Sequence, residues 1–278
     1  MFPFKTALNA STLFPFELEV PEQIAVAARV GYAGIELWVP QIGSYLAGGG
    51  TIAALKACLD ESGLAFPNAI AFFKWADEDE AVRESAFAQA DREMRLLAKL
   101  GCGAVAAPPF GEVGNVAADE LAARFARLVE LGRGIGVEPY LEFWGRAPKL
   151  SGLAEARDIL RRSGVANGKL LLDPFHMYTG GSAIEELGEL TGAEIGICHA
   201  NDYPASPGPE TIGDGDRVFP GEGVAPLRDA AKLLHRIGYG GYLSLELFVA
   251  GFDGLRADEV ASRGLRSMRE AFDVGTEV

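Results

Sequence analysis

The sequence predicts a single (β/α)₈ barrel domain spanning residues 1–278. Short apolar segments alternate with amphipathic helical segments about eight times along the chain. Strands that are separated by helices pair in parallel, because each return to the sheet needs a crossover. Dividing 278 residues by eight gives about 35 residues per unit, which suits one strand followed by one helix.

The predicted strands are short apolar runs of the kind that a sheet buries on both faces. In chain order they are Phe4–Asn9, Gly34–Trp38, Ala65–Ile70, Ala104–Ala107, Glu138–Phe143, Leu170–Asp173, Glu194–His199 and Tyr242–Leu247. The predicted helices are Glu22–Val30, Ile52–Glu61, Glu80–Leu100, Ala118–Gly134, Leu153–Arg162, Ile184–Leu190, Leu227–Ile237 and Ala257–Phe272. Glycine readily adopts the left-handed conformation that ends a helix, and it predicts helix ends at Gly31, Gly63, Gly101 and Gly238.

An open, doubly wound sheet is the alternative to a barrel. Such a sheet usually carries a glycine-rich turn after its first strand. This chain has Asn9-Ala10-Ser11-Thr12 at that point, so the barrel is favoured.

The charge of the chain argues against a nucleic-acid partner. There are 39 acidic and 25 basic residues, and the formal net charge is −14. A nucleic-acid surface needs clustered Lys and Arg to displace counterions, and the sequence has no such cluster.

Cysteine usage and hydropathy predict a cytoplasmic protein. Cys58, Cys102 and Cys198 are widely spaced and form no CxxC pair, so we expect a reducing compartment and no disulfide framework. We find no signal-peptide pattern and no apolar run near the ~20 residues of a membrane span. No membrane partner is expected, and assembly into a homo-oligomer is left open.

Four ionisable residues stand near the C-terminal ends of the last four predicted strands: Glu142, Asp173, His199 and Glu246. In a barrel these strand ends surround one cavity. Three carboxylates brought together there would repel one another unless a cation lay among them. The donor set predicts one divalent ion, with Mn²⁺ favoured and Mg²⁺, Co²⁺ or Zn²⁺ as alternatives. No organic cofactor is expected.

Other side chains near strand ends are candidates for substrate contact. Glu36 could reach substrate hydroxyls or form an ion pair at the barrel rim, and Asn9 and Asn68 could hydrogen-bond to sugar hydroxyls. Aromatic residues could line the cavity or pack in the core, namely Trp38, Phe72, Phe73, Trp75 and Trp144.

One connection, at about residues 201–225, is long and rich in proline and glycine. It follows the seventh strand and therefore lies on the C-terminal face, where barrel active sites are found. Long loops in compact domains are usually functional or disordered. We predict that this loop is an active-site lid.

Six segments occur in order over nearly the whole chain: Gly34–Trp38, Leu141–Phe143, Asp173–His176, His199–Asp202, Phe219–Gly223 and Leu245–Phe248. They resemble the sugar-phosphate isomerase/epimerase family of xylose-isomerase-like barrels. Within that family, Leu8–Thr12, Asn68–Phe73 and Asp216–Gly221 are most similar to the keto-inositol (inosose) isomerases. The resemblance implies the metal ligands already named, and it implies that His176 and Arg217 face the substrate.

The resemblance implies an isomerase or epimerase that moves a proton next to a carbonyl through a metal-stabilised enediolate. Glu142 or Glu246 would act as general base. His176 would polarise or protonate a substrate oxygen, or else orient Asp173. Arg217 would hold a hydroxyl or the developing oxyanion, or else be a surface charge.

The predicted substrate is an unphosphorylated keto-sugar or keto-inositol. A phosphate site should show a glycine-rich turn before a helix with a basic residue nearby. Gly180-Gly181-Ser182 is the only weak candidate and lacks the basic partner.

Three other functions share parts of this pattern. A lyase that dehydrates a keto-polyol would use the same metal site and the same enolate. A non-catalytic, metal-dependent sugar-binding protein is a second alternative. An apurinic-site endonuclease shares the barrel, but resemblance to that class implies a histidine-rich trinuclear zinc site, and this chain has three histidines in all.

Overall fold

The computed structural model describes residues 1–275; residues 276–278, the end of the predicted domain, lie outside the described part. The strands are β1 (Lys5–Asn9), β2 (Gly34–Trp38), β3 (Ala69–Ile70), β4 (Ala104–Ala107), β5 (Glu138–Glu142), β6 (Lys169–Leu172), β7 (Ile195–Ala200) and β8 (Tyr242–Leu245). Across residues 1–275 these eight strands pair in chain order and close into one parallel barrel. The predicted (β/α)₈ fold is confirmed.

The helices that return the chain are α1 (Val20–Val30), α2 (Val39–Ala47), α3 (Ile52–Ser62), α4 (Glu80–Leu100), α5 (Ala118–Ile135), α6 (Leu153–Arg162), α7 (Pro174–Thr179), α8 (Leu227–Arg236) and α9 (Ala257–Ala271). The glycine helix ends are confirmed, with φ of 92° at Gly31, 69° at Gly63, 86° at Gly101 and 82° at Gly238. Among the described helices, none combines the length and apolar character needed to cross a membrane.

Four elements differ from the sequence prediction. The third strand is only Ala69–Ile70, because Pro67 lacks an N–H for the ladder and Ala65 makes only an isolated bridge to Gly34. The segment Ile184–Glu189 is a 3₁₀ helix rather than an α-helix, a form that proteins use in short pieces. Helices α2 and α7 are additional.

A small buried layer fills the barrel below its C-terminal end. It consists of Ile70, Ala106, Leu171 and Ile197, and it is separate from the main core. Alternate residues of a strand point to the same face. Asp173 and His199 therefore lie directly above Leu171 and Ile197, on a packed apolar floor.

Candidate active site

Asp173, His199 and Glu246 meet at the C-terminal end of the barrel. One potential ligand atom from each lies within 4.8 Å of the others, and all three residues are buried. His199 Nδ1 is 2.9 Å from Glu246 Oε2 and 3.5 Å from Asp173 Oδ2. Within the described residues neither nitrogen of this ring has an aligned hydrogen-bond partner. Two carboxylates around an imidazole nitrogen without a hydrogen bond make a donor set that fits a divalent cation.

Neighbouring charged side chains shift the pKa values of Asp173 and His199. Burial by itself would raise the pKa of Asp173, but Arg217, His176 and His199 outweigh it and hold that pKa well below its usual range. Burial would lower the pKa of His199, yet Glu246 and Glu36 outweigh it and raise that pKa well above the usual value.

Glu142, the fourth predicted ligand, stands beside this group. It is the last residue of β5 and lines the same cavity as Glu246. It is outside the compact set of three ligand atoms. Burial raises the pKa of Glu142 to about 8; Glu246 and Asp173 act in the same direction and His199 in the opposite one. Without a cation its carboxyl is therefore mostly protonated at neutral pH.

Arg217 covers the group from above. One nitrogen, Nη1, donates to Asp173 Oδ2 at 2.7 Å and to Glu246 Oε2 at 2.8 Å. The other, Nη2, donates to Asp214 at 2.8 Å. Arg217 is 1% exposed and lines the cavity, whereas Asp173 and His199 do not. The surface-charge alternative is therefore wrong, and Arg217 separates two of the candidate ligands from the cavity.

His176 projects from α7 into the cavity. Its Nε2 lies 3.5 Å from Arg217 Nη2 and 4.0 Å from Asp173 Oδ2. Burial lowers the pKa of His176 to about 4, with Asp173 opposing this shift and Arg217 adding to it. The ring is therefore neutral near pH 7 and can exchange hydrogen bonds with a ligand.

Glu36, Asn9 and Asn68, which were predicted to bind substrate, lie beneath the cavity instead. All three are 0% exposed and none lines the cavity. The reason is the position of Glu36, which is the middle residue of β2 and not its end, so its side chain points into the barrel one level lower. The alternative prediction for Glu36 is an ion pair at the barrel rim. Glu36 does form an ion pair, but with His199 and inside the barrel.

The cavity has a volume of about 650 Å³, within the range of small-molecule sites. Acidic and basic side chains line it together with five aromatic residues that contact one another, namely Trp38, Phe72, Phe110, Trp144 and Phe248. Phe73 and Trp75 are 0% exposed and belong to the core.

Several residues of the site are not predictable from sequence pattern. Asn201 Nδ2 donates to Asp173 Oδ1 at 2.9 Å and so orients that carboxylate. Phe110 and Phe248 follow β4 and β8 in segments without helix or strand. One indication is available from sequence for Asn201 and Phe248, because each follows a candidate metal ligand by two positions, His199 and Glu246 respectively.

The predicted lid, at about residues 201–225, falls in the loop of residues 201–226 between β7 and α8. Its two ends meet at Asp202, whose carboxylate accepts four backbone N–H groups at 2.8 to 3.0 Å, from Tyr203, Gly221, Gly223 and Ala225. Arg146, from the loop after β5, donates to the carbonyls of Pro209 and Ile212. Hydrogen bonds therefore fix the loop at its two ends and in its middle. Arg217 belongs to this loop, so the loop positions it at the site.

Comparison with known proteins identifies relatives of this barrel. The inosose isomerase of Bacillus velezensis is 30% identical over 200 residues, which cover 69% of each chain. The 3-dehydroshikimate dehydratase of Pseudomonas aeruginosa is 29% identical over 259 residues, which cover 90% of this chain and 39% of that protein.

The fold and the family agree with the sequence resemblance. A crystal structure of the IolI protein with a bound zinc atom has a TM-score of 0.87 at 24% identity, covering 97% of this chain and 98% of that one. At this identity the likeness concerns the fold alone. The sequence profile described as xylose isomerase-like TIM barrel matches residues 24–271. The chain therefore belongs to the xylose isomerase-like TIM barrel family.

Proposed function

We propose that the protein is a divalent-metal-dependent isomerase or epimerase of an unphosphorylated keto-sugar or keto-inositol. One observation carries this proposal: Asp173, His199 and Glu246 form a buried group beside a ligand-sized cavity. Glu246 and Glu142 line that cavity, and Arg217 lies between it and the other two residues. The 30% identical inosose isomerase supports the substrate class.

Asp173, His199 and Glu246 would hold the cation, with Glu142 as the fourth ligand. When bound, the cation supplies Lewis-acid stabilisation of negative charge on a substrate oxygen. Mn²⁺ is our first candidate because three of the four donors are carboxylates. Zn²⁺ is the second, since the IolI structure carries zinc.

Glu142 and Glu246 are the proposed acid–base pair, because both line the cavity in different surroundings. Glu246 accepts hydrogen bonds from Asn9 at 3.1 Å and from Arg217 at 2.8 Å. Glu142 has its pKa raised to about 8, close to the operating pH that proton transfer requires. One carboxylate that removes a proton from one carbon and returns it to the neighbouring carbonyl carbon, while a proton moves between the two oxygens, gives isomerisation. Return by the other carboxylate from the opposite face gives epimerisation.

His176 and Arg217 are the proposed contacts to substrate oxygens. A neutral His176 can donate or accept a proton at a carbonyl or hydroxyl oxygen. Arg217 Nη2 faces the cavity side of the group and can hold an oxygen as negative charge develops.

Of the residues that the structure describes, three cationic side chains line the cavity, Lys74, Arg146 and Arg217, and two of them are already paired with protein groups. Arg217 is occupied by Asp173, Glu246 and Asp214. Arg146 is occupied by two backbone carbonyls of the loop. The Nζ of the third, Lys74, lies 5.7 Å from the centre of the Phe110 ring. A single lysine without the glycine-rich turn of a phosphate site does not make a phosphate handle, so we favour a neutral substrate.

Solvent deuterium exchange tests the proposal. A panel of keto-inositols and ketohexoses is incubated with the Mn²⁺ protein in D₂O, the metal is removed, and proton NMR is recorded. We expect loss of one C–H signal next to the carbonyl of the true substrate. Glu246→Gln should abolish the exchange, whereas Glu61→Gln, an exposed change on α3, should not affect it. Near-normal exchange by Glu246→Gln would contradict its assignment.

The metal site has its own test. His199→Ala should lower the metal content that remains after dialysis, because it removes the only nitrogen ligand. Metal content equal to that of the wild type would contradict the site. A protein that binds metal and sugar but leaves every C–H unexchanged would instead be a metal-dependent sugar-binding protein.

A lyase is the second candidate function. The 3-dehydroshikimate dehydratase, matched over 90% of this chain, supports it. Loss of a β-hydroxyl after the same proton abstraction yields an unsaturated ketone. An ultraviolet absorbance band that grows during the incubation would identify the lyase, and exchange without that band identifies the isomerase or epimerase.

A further inference from the structure

Glu36 is a buried carboxylate that the proposed proton transfer does not use. It is 0% exposed and has no access to the cavity. Removing a charged group from water costs several kcal/mol unless it is paired and hydrogen-bonded. Its partners inside the barrel therefore indicate its role.

The Glu36 carboxylate has contacts with Asn68, Asn9 and His199. Asn68 Nδ2 donates to Oε1 at 2.7 Å, and Asn9 Nδ2 donates to Oε2 at 3.3 Å. His199 Nε2 lies 3.3 Å from Oε2. Among residues 1–275, His199 is the one ion-pair partner of Glu36, and no Lys or Arg contacts it. The two amides hold the carboxylate in place, and its free direction faces the histidine.

The two nitrogens of the His199 ring consequently face different groups. Nε2 faces Glu36, which lies below it in the barrel. Nδ1 faces Glu246 and Asp173, the other members of the candidate metal group. A neutral imidazole carries one proton, and a metal binds the nitrogen that lacks it. A cation held by Glu246 and Asp173 would occupy the carboxylates near Nδ1, so Glu36 is the carboxylate left to face a proton on Nε2, and the Nδ1 lone pair is left for the cation.

We propose that Glu36 is a positioning residue that holds His199 in the Nε2–H tautomer and orients its ring, so that Nδ1 serves as the metal ligand. Asn9 extends this arrangement, because the same amide nitrogen also donates to Glu246 Oε1 at 3.1 Å. The inference rests on the metal site of the proposed function and adds the supporting layer beneath it. Such outer partners typically change metal affinity by about 10–100-fold.

Two substitutions distinguish a positioning role of Glu36 from an effect of its negative charge alone. Glu36→Gln keeps the shape of the side chain but removes its charge. Glu36→Asp keeps the charge but withdraws the oxygens from His199 by one methylene. Mn²⁺ and Zn²⁺ are titrated into the metal-free proteins by calorimetry, without substrate. We expect both variants to bind about 10–100-fold more weakly than the wild type.

The matched control is Asp77→Asn. Asp77 is also a buried carboxylate, 3% exposed, and it accepts backbone N–H groups from Asp79 and Glu112 at 3.0 Å. It lies outside the candidate metal group, so its substitution should leave metal affinity unchanged. Wild-type affinity in both Glu36 variants would overturn the proposal. A loss in Glu36→Gln alone would also overturn it, because charge would then suffice.

A spectroscopic readout on the unaltered protein is independent of whether the variants fold. The chain has three histidines, so ¹⁵N-histidine labelling gives a simple NMR spectrum of the zinc-loaded protein. We expect the His199 proton on Nε2 and zinc on Nδ1; zinc on Nε2 would overturn the proposal. If the wild type binds no metal, both this inference and the proposed function fail. If it binds metal without turnover, only the proposed reaction fails.

Discussion

Arg217 controls access to the carboxylates of the site. Its Nη1 donates to both Asp173 and Glu246, and these oxygens are also the candidate ligands of a metal. The guanidinium and a divalent cation therefore compete for the same two carboxylates. Arg217 also packs against two aromatic rings, with its Cζ 4.4 Å from the centre of the Phe175 ring and 5.1 Å from that of Phe248. These contacts hold the guanidinium in position.

Arg217→Met tests this competition. The metal-free variant should lose about 3–5 kcal/mol of stability, because the buried carboxylates lose a partner. Its metal affinity should rise by about tenfold or more, because the competing cation is gone. Urea unfolding with EDTA measures the first effect and calorimetric titration the second. Arg29→Met, which removes an exposed ion pair with Asp258, should change neither; weaker metal binding by Arg217→Met would contradict the competition.

The loop of residues 201–226 acts as one element because Asp202 joins its two ends. Four backbone N–H groups depend on this carboxylate. The fit at Gly223 is close, since a Cβ there would lie 2.3 Å from Asp202 Oδ1. The position of Arg217 therefore depends on an anchor that makes no contact with the metal group.

Asp202→Ala should loosen this loop without removing any candidate ligand. Each buried N–H left without an acceptor costs about 1–3 kcal/mol, so the loop should open before the barrel unfolds. We expect faster proteolysis within residues 201–226 and a KM raised about tenfold or more. Metal affinity should rise and not fall, because the loosened loop withdraws Arg217 from the carboxylates that a cation would bind. Glu210→Ala, an exposed change in the same loop, is the control. Unchanged proteolysis would show that Asp202 is not the anchor.

At the scale of the whole molecule, the buried site links stability to pH. Glu142 has its pKa raised from 4.5 to about 8, and His199 has its pKa raised well above 6.5. In both cases the folded metal-free protein holds a proton that the unfolded chain releases. Stability is therefore lost as pH rises between the unfolded and the folded pKa. His176, with its pKa lowered to about 4, acts in the opposite direction but only below pH 6.5.

We therefore expect the metal-free protein to lose stability from pH 6.5 to 8, by at most about 1.4 kcal/mol per pH unit for each of the two groups. With saturating Mn²⁺ the trend should reverse, because a cation binds the deprotonated ligands. Urea unfolding at several pH values, with EDTA or with Mn²⁺, measures both slopes. Glu142→Gln should roughly halve the slope of the metal-free protein. A rise in metal-free stability across this range would contradict the assignment.

The barrel and the positions of the candidate metal ligands were predictable from sequence because both follow from local pattern. Alternating apolar strands and helices require parallel pairing, and parallel strands place their C-terminal ends at one face. Asp173, His199 and Glu246 could be assigned to that face from their places in the strands. The helix ends at glycine were predictable for the same reason, since the conformation at a glycine is a local property.

Tertiary structure alone determined which other side chains contact the candidate metal ligands. Arg217 reaches Asp173 across 44 residues of sequence. Glu36 on β2 reaches His199 on β7, which the closed barrel places three strands away. No periodicity records such contacts, because they depend on which side chains the closed barrel brings to the same depth. Burial then shifts the pKa of Glu142 and His176 in opposite directions, since desolvation disfavours whichever form is charged.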